Sequence, residues 1–417
     1  MSAINKRIAA GLLATAAATG LVASSVAPAS AADTQLKIQA IIPLTGSLAF
    51  LSPPEIAGLH LAVADINAAG GVLGKKVTLD ITDSGDGSTL NIADQSATKA
   101  IANKVDVVIG AAASGVTRHI INKITGAKIV QISMSNTAPD LSTWKDGGYY
   151  FRTAPSDLLQ GKVIASQMLQ DGAESVAIIY QDTSYGVGLK GVAEKSVKAG
   201  GGSVTSYAFP ENETNFSSIV DKVVASGPDA VLLISYDESK KALPALKAKG
   251  YNGGNVYLVD GNLVDYSGES YGSYLNGAKG TNPGKALTDA FKKRLSAAYA
   301  KAEGGKELKE FVYGAETYDA VVLAAIAAQA AKDASGPGIR SQLTNISKAG
   351  AGKTKVTSFK AALAALKAGK KVDYDGVSGP IEFDANGDPT GAFIGIYRYG
   401  ASGTYKLVKV VAGNTVK

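Results

Sequence analysis

Six residues scattered along a chain of 417 could together do one kind of chemistry. Ser114 comes after Val108-Ile109-Gly110 and Ala111-Ala112-Ala113, and it opens a helical segment. Small residues and a hydroxyl at a helix N-terminus make an anion site, because free N–H groups and the positive dipole end face the ligand. Ser135 and Thr137 lie in Met134-Ser135-Asn136-Thr137-Ala138-Pro139, a polar turn after Ile132-Ser133. Tyr185, Tyr236 and Asp260 each follow a short apolar run in the second half of the chain. The hydroxyls and N–H groups suit a carboxylate, Asp260 suits an ammonium, and the tyrosines supply walls. That is the chemistry of a receptor for a zwitterion, with no group suited to breaking a bond. Taken singly, Ser114 and Thr137 also read as helix caps, and Tyr236 as a core aromatic. Their shared position beyond strand ends joins them, since open parallel sheets bind ligands there.

The chemistry that is missing narrows the function further. The chain has two histidines, His60 and His119, and no cysteine. Without a thiol or a paired His motif, a zinc site is not expected. No Gly-x-Ser-x-Gly elbow occurs, so a hydrolase nucleophile is absent. Ser96-Ala97-Thr98-Lys99 matches Ser-x-x-Lys without partner motifs and reads as a solvated helix face. Asp384-Ala385-Asn386-Gly387-Asp388 has its Gly at the fourth position, where a calcium loop needs it at the sixth, and reads as a hairpin turn. Gly186-Val187-Gly188-Leu189-Lys190-Gly191 fits the dinucleotide fingerprint. In a dinucleotide site, however, the first Gly lies at the strand end, and here five residues intervene. No metal, cofactor or catalytic residue is therefore expected.

The elements that must position the six residues are short. Lys37 to Pro43, Val77 to Thr82, Val105 to Gly110, Lys128 to Ser133, Val176 to Tyr180, Ala230 to Ser235 and Val256 to Val259 are strand-like. Helical segments separate most of them, which predicts βαβ units and parallel sheets. Ser52-Pro53-Pro54-Glu55 reads as a capping box opening the first helix. Ala-rich helices are expected near 286–302 and 312–333, with antiparallel hairpins at the end. The length suits two α/β domains.

Lys6 and Arg7, the apolar run from Ile8 to Val22 and Ala29-Ser30-Ala31 form a secretory signal peptide, expected to be removed as residues 1–31. Without cysteine there is neither a disulfide nor a lipid-modified N-terminus. The expected product is exported and soluble, without a lipid anchor, in the periplasm or the cell-wall space. The lysines are dispersed, which argues against a nucleic-acid surface.

Ile42-Pro43-Leu44-Thr45-Gly46, the stretch 58–71 ending Ala64-Asp65-Ile66-Asn67-Ala68-Ala69-Gly70-Gly71, Thr137-Ala138-Pro139, Phe151-Arg152-Thr153, Asp182-Thr183-Ser184-Tyr185-Gly186 and Gly379-Pro380-Ile381-Glu382-Phe383-Asp384 occur in this order. In them the chain resembles the branched-chain amino-acid-binding family of ABC-transporter periplasmic proteins. The resemblance implies a two-lobe type I periplasmic-binding fold, α/β, each lobe a mainly parallel sheet flanked by helices. Lobe 1 would comprise 36–154 and 283–377, and lobe 2 155–282 and 378–417. It implies that Ser114 holds the ligand carboxylate, and that Ser135 and Thr137 contact carboxylate and ammonium. Tyr185 and Tyr236 would be second-lobe aromatics, and Asp260 would receive the ammonium. Leu51 stands in the first loop, Phe50-Leu51-Ser52-Pro53-Pro54, where relatives carry Tyr-Gly, so it would reshape the side-chain pocket. The expected partners are an amino acid and an ABC permease, and the protein would act as a monomer. Receptors for amides, urea or aromatic acids, a ligand sensor, and a dinucleotide-dependent enzyme remain the alternatives.

Overall fold

A computed structural model describes residues 34–415. The signal peptide inferred for residues 1–31 lies outside the described residues. In chain order the elements are β1 (Lys37–Ile42), α1 (Ser52–Ala68), β2 (Thr78–Asp83), α2 (Leu90–Ala102), β3 (Val107–Gly110), α3 (Ser114–Gly126), β4 (Val130–Ser133) and β5 (Tyr150–Arg152). Then come α4 (Asp157–Gln170), β6 (Ser175–Gln181), α5 (Ser184–Ala199), β7 (Ser203–Phe209), α6 (Ser217–Ser226), β8 (Ala230–Ile234), α7 (Ser239–Ala248), β9 (Val256–Leu258) and β10 (Lys279–Pro283). The chain ends with α8 (Asp289–Ala302), α9 (Gly314–Ala331), α10 (Gly336–Ile346), β11 (Lys353–Val356), α11 (Phe359–Lys367), β12 (Lys371–Tyr374), β13 (Phe393–Tyr399) and β14 (Tyr405–Ala412).

Two large sheets organise most of these elements, and β11 and β12 pair in a separate two-stranded parallel sheet. The first has the order β2-β1-β3-β4-β5 and is parallel throughout. The second has the order β14-β13-β10-β9-β8-β6-β7. Its β10, β9, β8, β6 and β7 are parallel, while β13 and β14 are antiparallel additions at the edge. The β-branched runs Val107-Val108-Ile109 and Ala230-Val231-Leu232-Leu233-Ile234 are buried along their length. This is what strands covered on both faces by helices require. The chain passes between the sheets three times: between β5 and α4, between β10 and α8, and between β12 and β13. The result is a two-lobe α/β fold.

α9 is buried from Gly314 through Ala328. A helix apolar on every side must be covered on every side, and α1, α10 and α11 pack around it. Gly58 lets α1 approach, because a Cβ there would lie 2.5 Å from the Gly314 carbonyl oxygen. α9 also anchors the third crossing. Asp319 Oδ1 accepts from the Tyr374 hydroxyl (2.6 Å) and Val377 N–H, and Oδ2 accepts from Ser378 N–H (2.8 Å) and its hydroxyl. Ile381 and Phe383 then stay in the core around the first sheet.

Four local readings need correction. The Ser52 hydroxyl caps no helix; it donates to the Pro43 carbonyl. Glu55, read as its capping partner, is fully buried and turns to Ser135 instead. Ser96 is buried rather than solvated, and its hydroxyl donates to the Asp83 carbonyl at 2.6 Å. The 384–388 turn forms, with Asp384 Oδ1 accepting from Asn386 and Asp388 N–H. It joins only an isolated bridge and packs on β5 rather than linking strands of a hairpin.

Candidate functional site

The site begins at the carboxyl ends of β3 and β4. Among the described residues no side chain caps α3, so its first-turn N–H groups lack internal partners and face outward from the helix end. Ser114 is buried in that turn, and its hydroxyl oxygen accepts from Ala138 N–H at 3.3 Å. It therefore ties α3 to the turn after β4. The Ser135 hydroxyl lies 3.4 Å from both Glu55 Oε1 and the Ala112 carbonyl, while Asn136 Nδ2 donates to that carbonyl at 2.6 Å.

Arg152 holds the same turn from below. It is fully buried at the end of β5. Its Nη1 donates to the carbonyls of Asn136 (3.3 Å) and Ala138 (3.0 Å), on either side of Thr137. Its Nε and Nη2 form a bidentate pair with Asp388 at 2.6 and 2.8 Å, and Nη2 also donates to Ser142 at 2.7 Å. With its neighbours pinned, Thr137 keeps a buried hydroxyl that meets no partner in strict hydrogen-bonding geometry among the described residues and acts on the Asp157 carboxylate.

The second-lobe groups converge on Asp260. Its Oδ1 accepts from Gln160 Nε2 (2.7 Å) and the Tyr185 hydroxyl (2.7 Å), and its Oδ2 from the Tyr313 hydroxyl (2.6 Å). Burial raises its pKa, opposed by these three donors. Tyr185 stacks on Tyr236 with centroids 5.3 Å apart and planes 12° from parallel. Leu51 is buried in the same apolar cluster as Tyr185, Tyr236 and Tyr313. The first-lobe trio and the second-lobe trio thus form two coherent groups, with Leu51 beside the aromatic one.

Asp157 lies between them. It is the first residue of α4, and its N–H donates to the Thr137 carbonyl at 2.7 Å. Its side chain is fully buried, with no donor in strict hydrogen-bonding geometry and, among the described residues, the Thr137 hydroxyl alone near enough to favour its charged form. Burial, and then the charge of Asp260, push its pKa well above the ordinary carboxylate range, while Thr137 and Arg152 pull the other way. The sequence reading missed Asp157. The rule that found Ser114 and Ser135 would have found it, had Tyr150–Arg152 been read as a strand. It also missed Gln160, which spans one helical turn from Asp157, and Tyr313, which enters from the distant start of α9. No local signal marks Tyr313.

Chemically, the site offers N–H and O–H donors at one end and two facing carboxylates at the other. Two buried carboxylates that repel one another are relieved by a cation or by sharing a proton. The glycines of the dinucleotide-like fingerprint are explained by packing. A Cβ at Gly186 would lie 2.0 Å from the Gln181 carbonyl oxygen, and one at Gly188 would lie 2.6 Å from Pro139 Cδ.

Two α/β lobes with opposed polar groups at their strand ends define a bilobed binding protein. The family model for periplasmic binding proteins matches residues 35–397, and the chain belongs to that family. It is 30% identical over 247 residues to Leu/Ile/Val-binding protein homolog 8 of Brucella suis, a match covering 56% of this chain and 60% of that relative's length. In structure it is similar to a leucine binding protein, LivK, of Thermotoga maritima, with a TM-score of 0.74 and 21% identity over 90% of this chain and 98% of that one. It is similar also to LivJ of Streptococcus pneumoniae in complex with isoleucine, with a TM-score of 0.72 and 24% identity over 91% and 99% of the two chains. These two likenesses are of fold. The family and fold are those of solute-binding proteins rather than enzymes.

Proposed function

We propose that the protein captures a small amino acid in the cleft and delivers it to an ABC-type permease. The observation that carries the reading is Asp157: a carboxylate wholly buried, with no donor among the described residues beyond the neighbouring Thr137 hydroxyl, and joined through its own N–H to the Thr137 turn. A lone buried carboxylate is costly, and an ammonium brought by the ligand is its natural compensation. The free first turn of α3, with Ser114, would take the ligand carboxylate. Thr137 would serve both ends. This moves the leading ammonium contact from Asp260 to Asp157, because Asp260 already receives three protein donors. Leu51, Tyr185, Tyr236 and Tyr313 would enclose the ligand side chain. Lobe boundaries at 154/155 and 282/283, a last crossing between the 384–388 turn and β13 rather than at 377/378, removal of residues 1–31 and a monomeric, exported protein complete the proposal.

Mass spectrometry of ligand retained by natively purified protein tests it, followed by thermal-shift comparison of amino acids with their deaminated acids. Stabilisation by amino acids alone is the expected result. Equal stabilisation by the deaminated acids would sink the ammonium assignment. An amide or urea as the retained molecule would point to the alternative receptor class.

A further inference from the structure

The two lobes also meet away from Asp157, at the loop after β7. The loop after β7 carries Glu211 and Asn212. Glu211 Oε1 accepts from the Ser47 hydroxyl at 3.4 Å and from Gly87 N–H at 3.2 Å. Asn212 Nδ2 donates to Ser88 Oγ at 3.0 Å. Ser47 follows β1, and Gly87 and Ser88 follow β2, so each of these bonds runs from the second lobe to the first. The fit is close, since a Cβ at Gly87 would lie 2.0 Å from Glu211 Oε2.

The Glu211 loop is also tied to a wall of the cleft. Glu238 Oε1 accepts from Asn212 N–H at 2.9 Å and from Gln181 Nε2 at 3.1 Å, while its Oε2 accepts from Tyr236 N–H at 3.0 Å. One carboxylate thus fixes both the backbone of Tyr236 and the loop that reaches across to the first lobe.

We propose that Glu211 is a positioning residue for ligand capture, a latch that holds the closed cleft together without touching the ligand. The proposal rests on the reading of the cleft as the ligand site. The charged groups facing Glu211 are Asp86, from the loop after β2, and Glu238, beside α7; both are acidic. Among the described residues no lysine or arginine pairs with Glu211. Asp86 stays ionised: its bonds from Ser47, Ser88 and Thr89 outweigh its burial and hold its pKa below the ordinary value. Burial, and then the charge of Asp86, push Glu211 up to about 7, against the Gly87 N–H, with Glu238 adding to the rise. Opening the cleft returns the Glu211 carboxyl to water, where such a group titrates near about 4.3. Closing therefore takes up a proton between these two values. The closed form is favoured at low pH and is progressively lost as pH rises toward 7, by up to roughly tenfold per pH unit.

The sequence contains no cysteine, so a cysteine pair at the exposed positions Lys76 and Lys222 gives a clean label pair, one on each lobe. Single-molecule energy transfer between them reports the closed population, without ligand and with L-leucine as probe, from pH 5.5 to 8.5. The expected result is a closed population that falls with pH in the parent protein and falls less steeply in Glu211→Gln, where Asp157 and Asp260 still titrate in the cleft, with Gly87→Ala reducing closure at every pH. A flat profile in the parent, or the same slope in Glu211→Gln, overturns the latch. Failure of L-leucine to bind, with pH-dependent closure intact, removes leucine from the functional reading and leaves the latch standing. Leucine-driven closure with one pH profile for both proteins does the reverse.

Discussion

Asp157 and Thr137 are joined main chain to main chain: the Asp157 N–H donates to the Thr137 carbonyl at 2.7 Å, where the chain first passes between the lobes. The bond makes the opening of α4 a continuation of the turn that ends β4. In the proposed site, Thr137 and Asp157 would therefore keep their separation as the lobes move.

Asp157→Asn should abolish tight amino-acid binding while leaving the ligand-free protein equally or more stable. The substitution keeps shape and removes a buried charge that Thr137 and the charge of Arg152 only partly offset. Because the folded-state pKa is raised, the wild-type carboxyl weakens the fold progressively as pH rises above the ordinary aspartate value. Calorimetric titration should show affinity reduced more than tenfold, about 1.4 kcal/mol or more. Thermal unfolding without ligand should show no loss.

Ser114→Ala removes a hydroxyl whose one bond among the described residues is a long one from Ala138 N–H. Stability should change little. Affinity for a carboxylate ligand should fall by roughly 1.5–3 kcal/mol, the range for a hydrogen bond to a charged group. Unchanged affinity with a lowered melting temperature would assign Ser114 to packing.

Arg152→Met leaves Asp388 without its bidentate partner and frees the carbonyls beside Thr137. Breaking a pair this deeply buried should cost about 3–5 kcal/mol. Urea unfolding monitored through Trp144 measures it, and ligand affinity should fall with it because the Thr137 turn loses its support. A double variant, Arg152→Met with Asp388→Leu, should recover stability but not affinity.

Glu316, in the first turn of α9, is buried, and that burial pushes its pKa up to about 8. Its folded-state value exceeds the unfolded one, so the neutral acid is what the fold prefers. Stability is fully present at and below the ordinary glutamate range and is lost as pH rises toward 8. Glu316→Gln should be insensitive over that window. The gap between variant and parent in denaturant midpoint should widen from pH 5 to pH 8 and then stay constant.

Sequence alone determined the class of this protein. Apolar β-branched runs alternating with helical segments can bury themselves only as parallel strands between helices, and the strand-end positions of Ser114, Ser135, Thr137, Tyr185, Tyr236 and Asp260 follow from that pattern because a strand end is a local property. What a local pattern does not contain is which strand end faces which. Tertiary structure decided that Tyr313, 53 residues beyond Asp260 in sequence, donates to it. It decided also that Arg152 spends its charge on Asp388, 236 residues away, rather than on the cleft. It gave Asp260 three protein donors and left Asp157 with the Thr137 hydroxyl alone among the described residues, which is why the proposed ammonium contact is Asp157. The physical reason is that a carboxylate's function depends on how many donors reach it once water is excluded. That number is set by chain segments brought together from far apart.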